Sequence, residues 1–139
     1  MIAQGQTTIF KQNLLSGLES FAVGTPYVYK IALYTANADL NAATLVYTTD
    51  NEVVGAGYTA GGQALTVIPP ASSGTTAYIS FNNIVWTPSA FVVKGALIYN
   101  ATTLAAVAVL DFGSDKTASG TFPVTFPPST ATTAVIRIS

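Results

Sequence analysis

VVKGALIYNATTLAAVAVLDF, residues 92–112, contains two nearly continuous apolar runs joined by Asn100, Ala101, Thr102 and Thr103. Short runs rich in branched and aromatic residues, bounded by turn formers, read as strands. Val92–Tyr99 and Leu104–Phe112 are therefore predicted to pair as a hairpin across this compact connection. Neither run alternates apolar with polar residues. Strands of that kind have both faces covered, so the hairpin is expected in the middle of the fold.

Working outward, the same signals recur on both sides. After Pro26, Tyr27, Tyr29, Ile31 and Leu33 alternate with Val28, Lys30, Ala32 and Tyr34. Further strands are predicted at Ala64–Ile68, Ala77–Trp86, Thr121–Phe126 and Thr133–Ile138. The turn-rich pieces IPPASSGTT, Trp86-Thr87-Pro88-Ser89, GSDKTASG and PPSTAT are expected to separate them. Pro123 cannot donate to a ladder, which predicts an edge position or a bulge. Asn82-Asn83 predicts a bulge or a tight turn. Thr35–Gly62 takes no assignment, and within it Leu40–Tyr47 fits a helix turn and a strand equally.

One stretch has helical periodicity. Phe10, Leu14, Leu18 and Phe21 fall on one face, with Leu15 and Ala22 alongside. Lys11, Asn13, Ser16, Glu19 and Ser20 fall on the other. Thr7 or Thr8 can cap the start, Gly24 and Pro26 supply a stop, and Gly17 sits mid-helix on the polar side. The expected fold is mainly β: an antiparallel β-sandwich, with a jelly roll as one variant, and one short N-terminal α-helix. A single domain over 1–139 is expected, with the helix over about 8–22 and strands from about 27 onward.

Composition narrows the function classes. The 139 residues include 5 basic and 6 acidic side chains, for a net charge of -1. Five dispersed cations do not build a nucleic-acid footprint or a polybasic membrane anchor. Charged residues are 8% of the chain, against ~25% on average, while half the residues are hydrophobic and the mean hydropathy is +0.47. A small domain with so little charge is expected to have part of its surface covered by neighbouring subunits, that is, to form a homo-oligomer. There is no cysteine to form a disulfide. MIAQGQTT lacks the pattern of a signal peptide, and Leu104–Leu110 is far shorter than the ~18 apolar residues of a membrane helix. The chain is expected to be soluble and made in the cytoplasm.

Candidate chemistry is sparse. Without His or Cys, no Ser-His-Asp triad, Cys-His pair or His/Cys zinc site can form. Asp39, Asp50 and Glu52 could supply oxygen ligands to Ca²⁺, but the EF-hand order is missing and turn chemistry explains them. Asp111 and Asp115 could be a glycosidase pair; turn formers with a salt-bridged lysine are the plainer reading. The DFG at 111–113 lacks every other kinase element. Asn100-Ala101-Thr102 fits a glycosylation acceptor but has no secretory context. Trp86 is a candidate for stacking a sugar or, more plainly, a core residue. No catalytic, cofactor-binding or metal-binding residue is assigned, and no cofactor is expected.

NEVVGAGYTAGG, residues 51–62, raises the possibility of a phosphate loop. Such a loop leads into a helix N-terminus, usually with a lysine. Here the glycines lead into strand-like ALTVI with no lysine. The stretch is predicted to be a glycine-shaped turn with Tyr58 packed inward, so valine at Gly57 or Gly61 is expected to impair folding.

Taken together, FKQNLLSGLESF, YKIALYT, NEVVGAGYTAGGQAL, Trp86, VVKGALIYN, VLDFGSDK and GTFPVTF make the chain resemble a widespread family of small tailed-bacteriophage virion proteins. The resemblance covers nearly the whole chain and is most specific at Asn51–Gly62 and Lys94–Asn100. It implies a structural, non-enzymatic virion component, assembled in the host bacterial cytoplasm. The leading expectation is a capsid cement or decoration protein whose partners are the major capsid protein, other virion proteins or its own copies. A neck or tail component and a host-glycan-binding adhesin are the alternatives.

Overall fold

The computed structural model describes all 139 residues. The elements in chain order are β1 (Gly5–Gln6), α1 (Thr8–Leu15), β2 (Tyr29–Tyr34), β3 (Gln63–Ala64), β4 (Val67–Ser73), β5 (Thr76–Phe81), β6 (Ile84–Asn100), β7 (Ala106–Val124) and β8 (Ile136–Ile138). They form two antiparallel sheets, ordered β1-β7-β6-β2-β3 and β4-β5-β8. The protein is mainly β, in a sandwich-like arrangement with one short helix. The strand orders do not reproduce the two Greek keys of a jelly roll, so that variant is not supported.

The predicted hairpin is the spine of the larger sheet. Gly95 pairs with Asp111, Leu97 with Val109 and Ile98 with Ala108. The connection closes through Leu104 N–H to Asn100 O (2.7 Å) and Thr102 N–H to Asn100 Oδ1 (3.0 Å). Both faces are covered. Tyr29, Ile31, Leu33, Ala96, Ile98 and Val107 face the second sheet, where Ile79, Phe81 and Ile136 meet them, with Phe126 from the segment after β7 in the same cluster. On the opposite face Tyr34, Leu97, Tyr99 and Val109 lie under Ile2, Ala38 and Leu40. Each large side chain so buried contributes roughly 1.5–3 kcal/mol.

Both hairpin strands run further than predicted. Thr87-Pro88 and GSDKTASG were expected to end strands; the first is a bulge within β6, and the second lies inside β7. Their turn chemistry is used locally: Gly113 N–H donates to Asp111 Oδ1 (2.9 Å), and Phe112–Asp115 form an excursion between the Asp111 and Lys116 pairings. The ladder then resumes, because Ala118 and Phe122 have buried partners in Phe91 and Trp86. IPPASS is likewise strand rather than turn: it falls in β4, an edge strand whose register shifts at the two prolines. Asn82-Asn83 is a two-residue corner through which the chain leaves the smaller sheet and enters the larger one.

The helix is shorter than its periodicity. Thr7 caps it by accepting from Phe10 N–H (3.2 Å). It ends at Leu15, seven residues before the expected limit. Gly17 has φ +75°, and Leu18 N–H donates to Asn13 O (2.8 Å) while Gly17 N–H donates to Leu14 O (3.3 Å). That is a Schellman motif, so Gly17 stops the helix instead of sitting inside it. The predicted faces fail beyond that point. Leu15 and Leu18 are exposed, and Glu19, assigned to the polar side, is buried.

Candidate functional site

Thr35–Gly62, which the sequence left unassigned, crosses the larger sheet without regular strands. Its Asn51–Gly62 part is built around one carboxylate. Thr35 N–H to Asn51 O and Val53 N–H to Leu33 O, both 2.9 Å, lay residues 51–53 beside the end of β2. This places Glu52, only 7% exposed, among four tyrosines. Its Oε1 accepts from the Tyr47 hydroxyl (2.6 Å); its Oε2 accepts from the Tyr58 hydroxyl (2.5 Å) and Gly61 N–H (2.7 Å). Tyr58 Oη also accepts from Leu33 N–H (2.9 Å). Tyr99 donates to Gly61 O (2.7 Å) and stacks on Tyr47, with ring centroids 4.6 Å apart. Tyr34 donates to Thr48 O (2.5 Å).

Tyr58 points inward as predicted. Its ring meets Trp86 and Phe91 of β6. The glycines allow backbone to lie directly on backbone. A Cβ on Gly57 would stand 1.8 Å from Pro88 O, and one on Gly62 would stand 1.7 Å from Ile31 O. Gly61 differs: its nearest neighbour is Tyr99 Oη at 3.5 Å, so only its φ of +95° argues against a side chain there. The loop continues into strand β3, not into a helix. What the arrangement does chemically is fasten the 47–62 segment onto β2 and β6 through a satisfied hydrogen-bond network.

Burial, with the Glu52 carboxylate as a second cause, pushes the Tyr34, Tyr58 and Tyr99 phenols above their ordinary range; the same two causes act on Tyr47. Burial and Glu19 do the same to Tyr29. Raised folded-state values mean that the stability these groups supply is intact below the unfolded value near ~10 and is lost as pH rises beyond it. The slope is about 1.4 kcal/mol per pH unit for each tyrosine that stays neutral in the fold. The phenolate absorbance of these five tyrosines, of 7 in the chain, is therefore expected to appear in one cooperative step together with loss of near-ultraviolet circular dichroism. Non-cooperative ionisation of all 7 tyrosines with the fold intact would contradict this.

Glu19 makes a second buried carboxylate site. Its Oε2 accepts from the Tyr29 hydroxyl (2.7 Å) and Asn100 Nδ2 (3.2 Å), while its Oε1 has no partner. Burial pushes this carboxyl up, against the lowering effect of the Tyr29, Asn100 and Asn13 side chains. Periodicity missed Glu19 because the helix stops before it. A signal was present in the scarcity of acids: with 6 in the chain, each one in an apolar context is a candidate for internal use.

The other sequence candidates are dispersed. Asp39 and Asp50 are exposed and do not join Glu52, and no group of three or more His, Cys, Asp or Glu side chains could hold a metal ion. Asp111 pairs with Lys94 (2.5 Å), not with Lys116; the Lys94 ammonium holds the Asp111 carboxyl below the usual range. Asp115 is exposed, and Lys116 reaches Ser114 Oγ (3.2 Å). Trp86 is 2% exposed and packs on Tyr58 and Phe122, so it offers no ring face to a sugar. Asn100, the sequon asparagine, is fully buried. No helix is long and apolar enough to cross a membrane. No family model, curated protein or solved structure matches the chain.

Proposed function

We propose that this chain is a non-enzymatic structural component of a bacteriophage particle, acting as a cement or decoration protein on the capsid. The observation that carries the reading is the surface. Large apolar side chains stand in water, with Val54 94%, Leu15 90% and Val23 85% exposed, in a chain that has only 5 basic and 6 acidic residues. Exposed apolar side chains dock with little charge to desolvate. Support also comes from the use of the two most buried carboxylates: Glu52 is spent on internal hydrogen bonds and Glu19 is largely so.

The test is location and number. Labelled protein added to capsids that lack it is expected to co-sediment with them and to raise their resistance to heat. A capsid-lattice component is expected on the order of hundreds of copies per particle. A purified chain that stays monomeric and never binds capsids ends this reading. A ring-like copy number of about six to a few dozen moves the chain to the neck or tail.

A further inference from the structure

The chain between Gly17 and Gly24 runs from the end of α1 toward β2 with no helix or strand of its own. Both glycines have positive φ, +75° and +80°, and nothing lies within 4 Å of where a Cβ would stand. Glu19 and Phe21 are buried, while Leu18, Ala22 and Val23 are exposed. Phe21 packs on Phe10 of α1, Tyr29 of β2 and Phe81 of β5, at ring-centroid distances of 5.9, 4.5 and 6.2 Å. Apart from the local turn Thr25 N–H to Ala22 O (3.0 Å), the hydrogen bonds that tie Glu19–Val23 to the rest of the fold run through one knot. The Tyr29 hydroxyl donates to Glu19 Oε2 (2.7 Å), accepts from Ser20 N–H (3.2 Å) and lies 3.2 Å from Ser20 O. Asn100 Nδ2 donates to the same Glu19 oxygen (3.2 Å).

We propose that Glu19–Val23 is a proton-controlled strap, hinged at Gly17 and Gly24, which protonation of Glu19 fastens over Phe10, Tyr29 and Phe81 and ionisation loosens. Closing the strap takes the carboxylate out of water, to 5% exposure. Opening returns it to water and uncovers the three rings under Phe21. A charge resists the first move and a neutral carboxyl does not. The neighbours are polar but uncharged: Asn13 from α1, Tyr29 from β2 and Asn100 from β6. Tyr78 of β5 lines the same groove. The nearest cations in the chain, Lys11 and Arg137, are exposed, and Arg137 bonds Thr132 O (2.6 Å). Neither forms an ion pair with Glu19. Phenols are neutral below pH ~8, so Glu19 is the group that titrates here in acid. Its carboxyl is raised in the closed fold and takes the ordinary value near ~4.3 when the strap is open. Closure therefore binds a proton. The strap is held most firmly below ~4.3 and loosens as the pH rises through the closed-state value. Local opening of this kind needs only the knot and one ring to release, while the hairpin of β6 and β7 stays paired. The proposal stands apart from the capsid reading, since it concerns this chain alone.

The experiment uses the full chain labelled with ¹³C and ¹⁵N, between about pH 4 and 7. The Glu19 carboxyl carbon shift reports its titration, and hydrogen exchange of the Ser20 amide, corrected for its intrinsic rate, reports strap opening. Ser20 protection is expected to fall from acid to neutral pH with the midpoint of the Glu19 titration. The fall is expected to be about tenfold for each pH unit by which that midpoint exceeds ~4.3. The Leu97 amide, in the paired hairpin, is expected not to follow it. Glu19→Gln keeps an acceptor for Tyr29 and Asn100 and is expected to give a flat Ser20 profile. If that variant does not fold, the parent chain decides alone. A Glu19 midpoint at or below ~4.3 overturns the proposal, as does Ser20 protection that is flat in the parent or still pH-dependent in Glu19→Gln. So does Leu97 changing in step with Ser20, which would make the effect one of global stability and not of a strap.

Discussion

Gly62→Ala is expected to abolish the native fold under conditions where the parent chain is stable. The added Cβ would lie 1.7 Å from Ile31 O and 2.6 Å from Ile31 C. No rotamer change relieves this, because both groups are backbone and Ile31 is fully buried in β2. The φ of +76° adds the left-handed penalty, roughly 1–2 kcal/mol for a residue with a Cβ. Overpacking alone costs typically about 1–3 kcal/mol when side chains can shift. Here the strand itself must move, so a total beyond about 4 kcal/mol is expected, at the extreme of single substitutions. Gly24→Ala is the control, since its φ is +80° and nothing stands within 4 Å of its Cβ. It reports conformational strain without collision. Urea denaturation of both variants checks the point, and a Gly62→Ala stability within about 1 kcal/mol of Gly24→Ala would falsify the close-approach account.

Glu52→Ala is expected to be the most damaging side-chain truncation in the loop. It removes the acceptor for the Tyr47 and Tyr58 hydroxyls and for Gly61 N–H at once. The hydroxyls can turn toward other acceptors, but the amide cannot. Unsatisfied buried donors cost about 1–3 kcal/mol each, so a loss of about 3–5 kcal/mol is expected. Tyr58→Phe removes one arm and is expected to cost less. The two together should cost clearly less than their sum, because the Tyr58 bond is counted in both single variants. Additivity in that cycle would show that Glu52 and Tyr58 do not act as a unit.

The sequence was most legible where local signals agree with each other. The hairpin at 92–112 had strand-forming runs, a compact connection and no alternation, and each pointed to a central, doubly covered pair. The inward Tyr58 was legible because glycines surround it and ALTVI follows. The misreadings share one cause, which is local chemistry reused inside a larger element. Gly17 was placed mid-helix on the polar side, not as a stop, so the apolar stripe ran on past the helix end and put Glu19 on the polar face. The turn formers of GSDKTASG were read as a loop because nothing local reveals that Ala118 and Phe122 have β6 partners waiting. Glu52 was weighed as a turn former or metal ligand, since Tyr47, Tyr58 and Gly61 meet it only once the segment is folded across the sheet.

The outer strands carry a consequence for solubility. A chain this poor in charge has little electrostatic repulsion to keep copies apart, and unpaired strand edges invite unlimited side-by-side growth into fibres. The edges are interrupted instead. β1 and β3 are two residues long, β4 is broken by Pro69 and Pro70, and the open side of β7 is offset by the Phe112–Asp115 excursion and then lacks an N–H at Pro123. At these interruptions an incoming strand finds no ladder to extend. Any contact between copies is thereby steered away from backbone templating toward side-chain contacts.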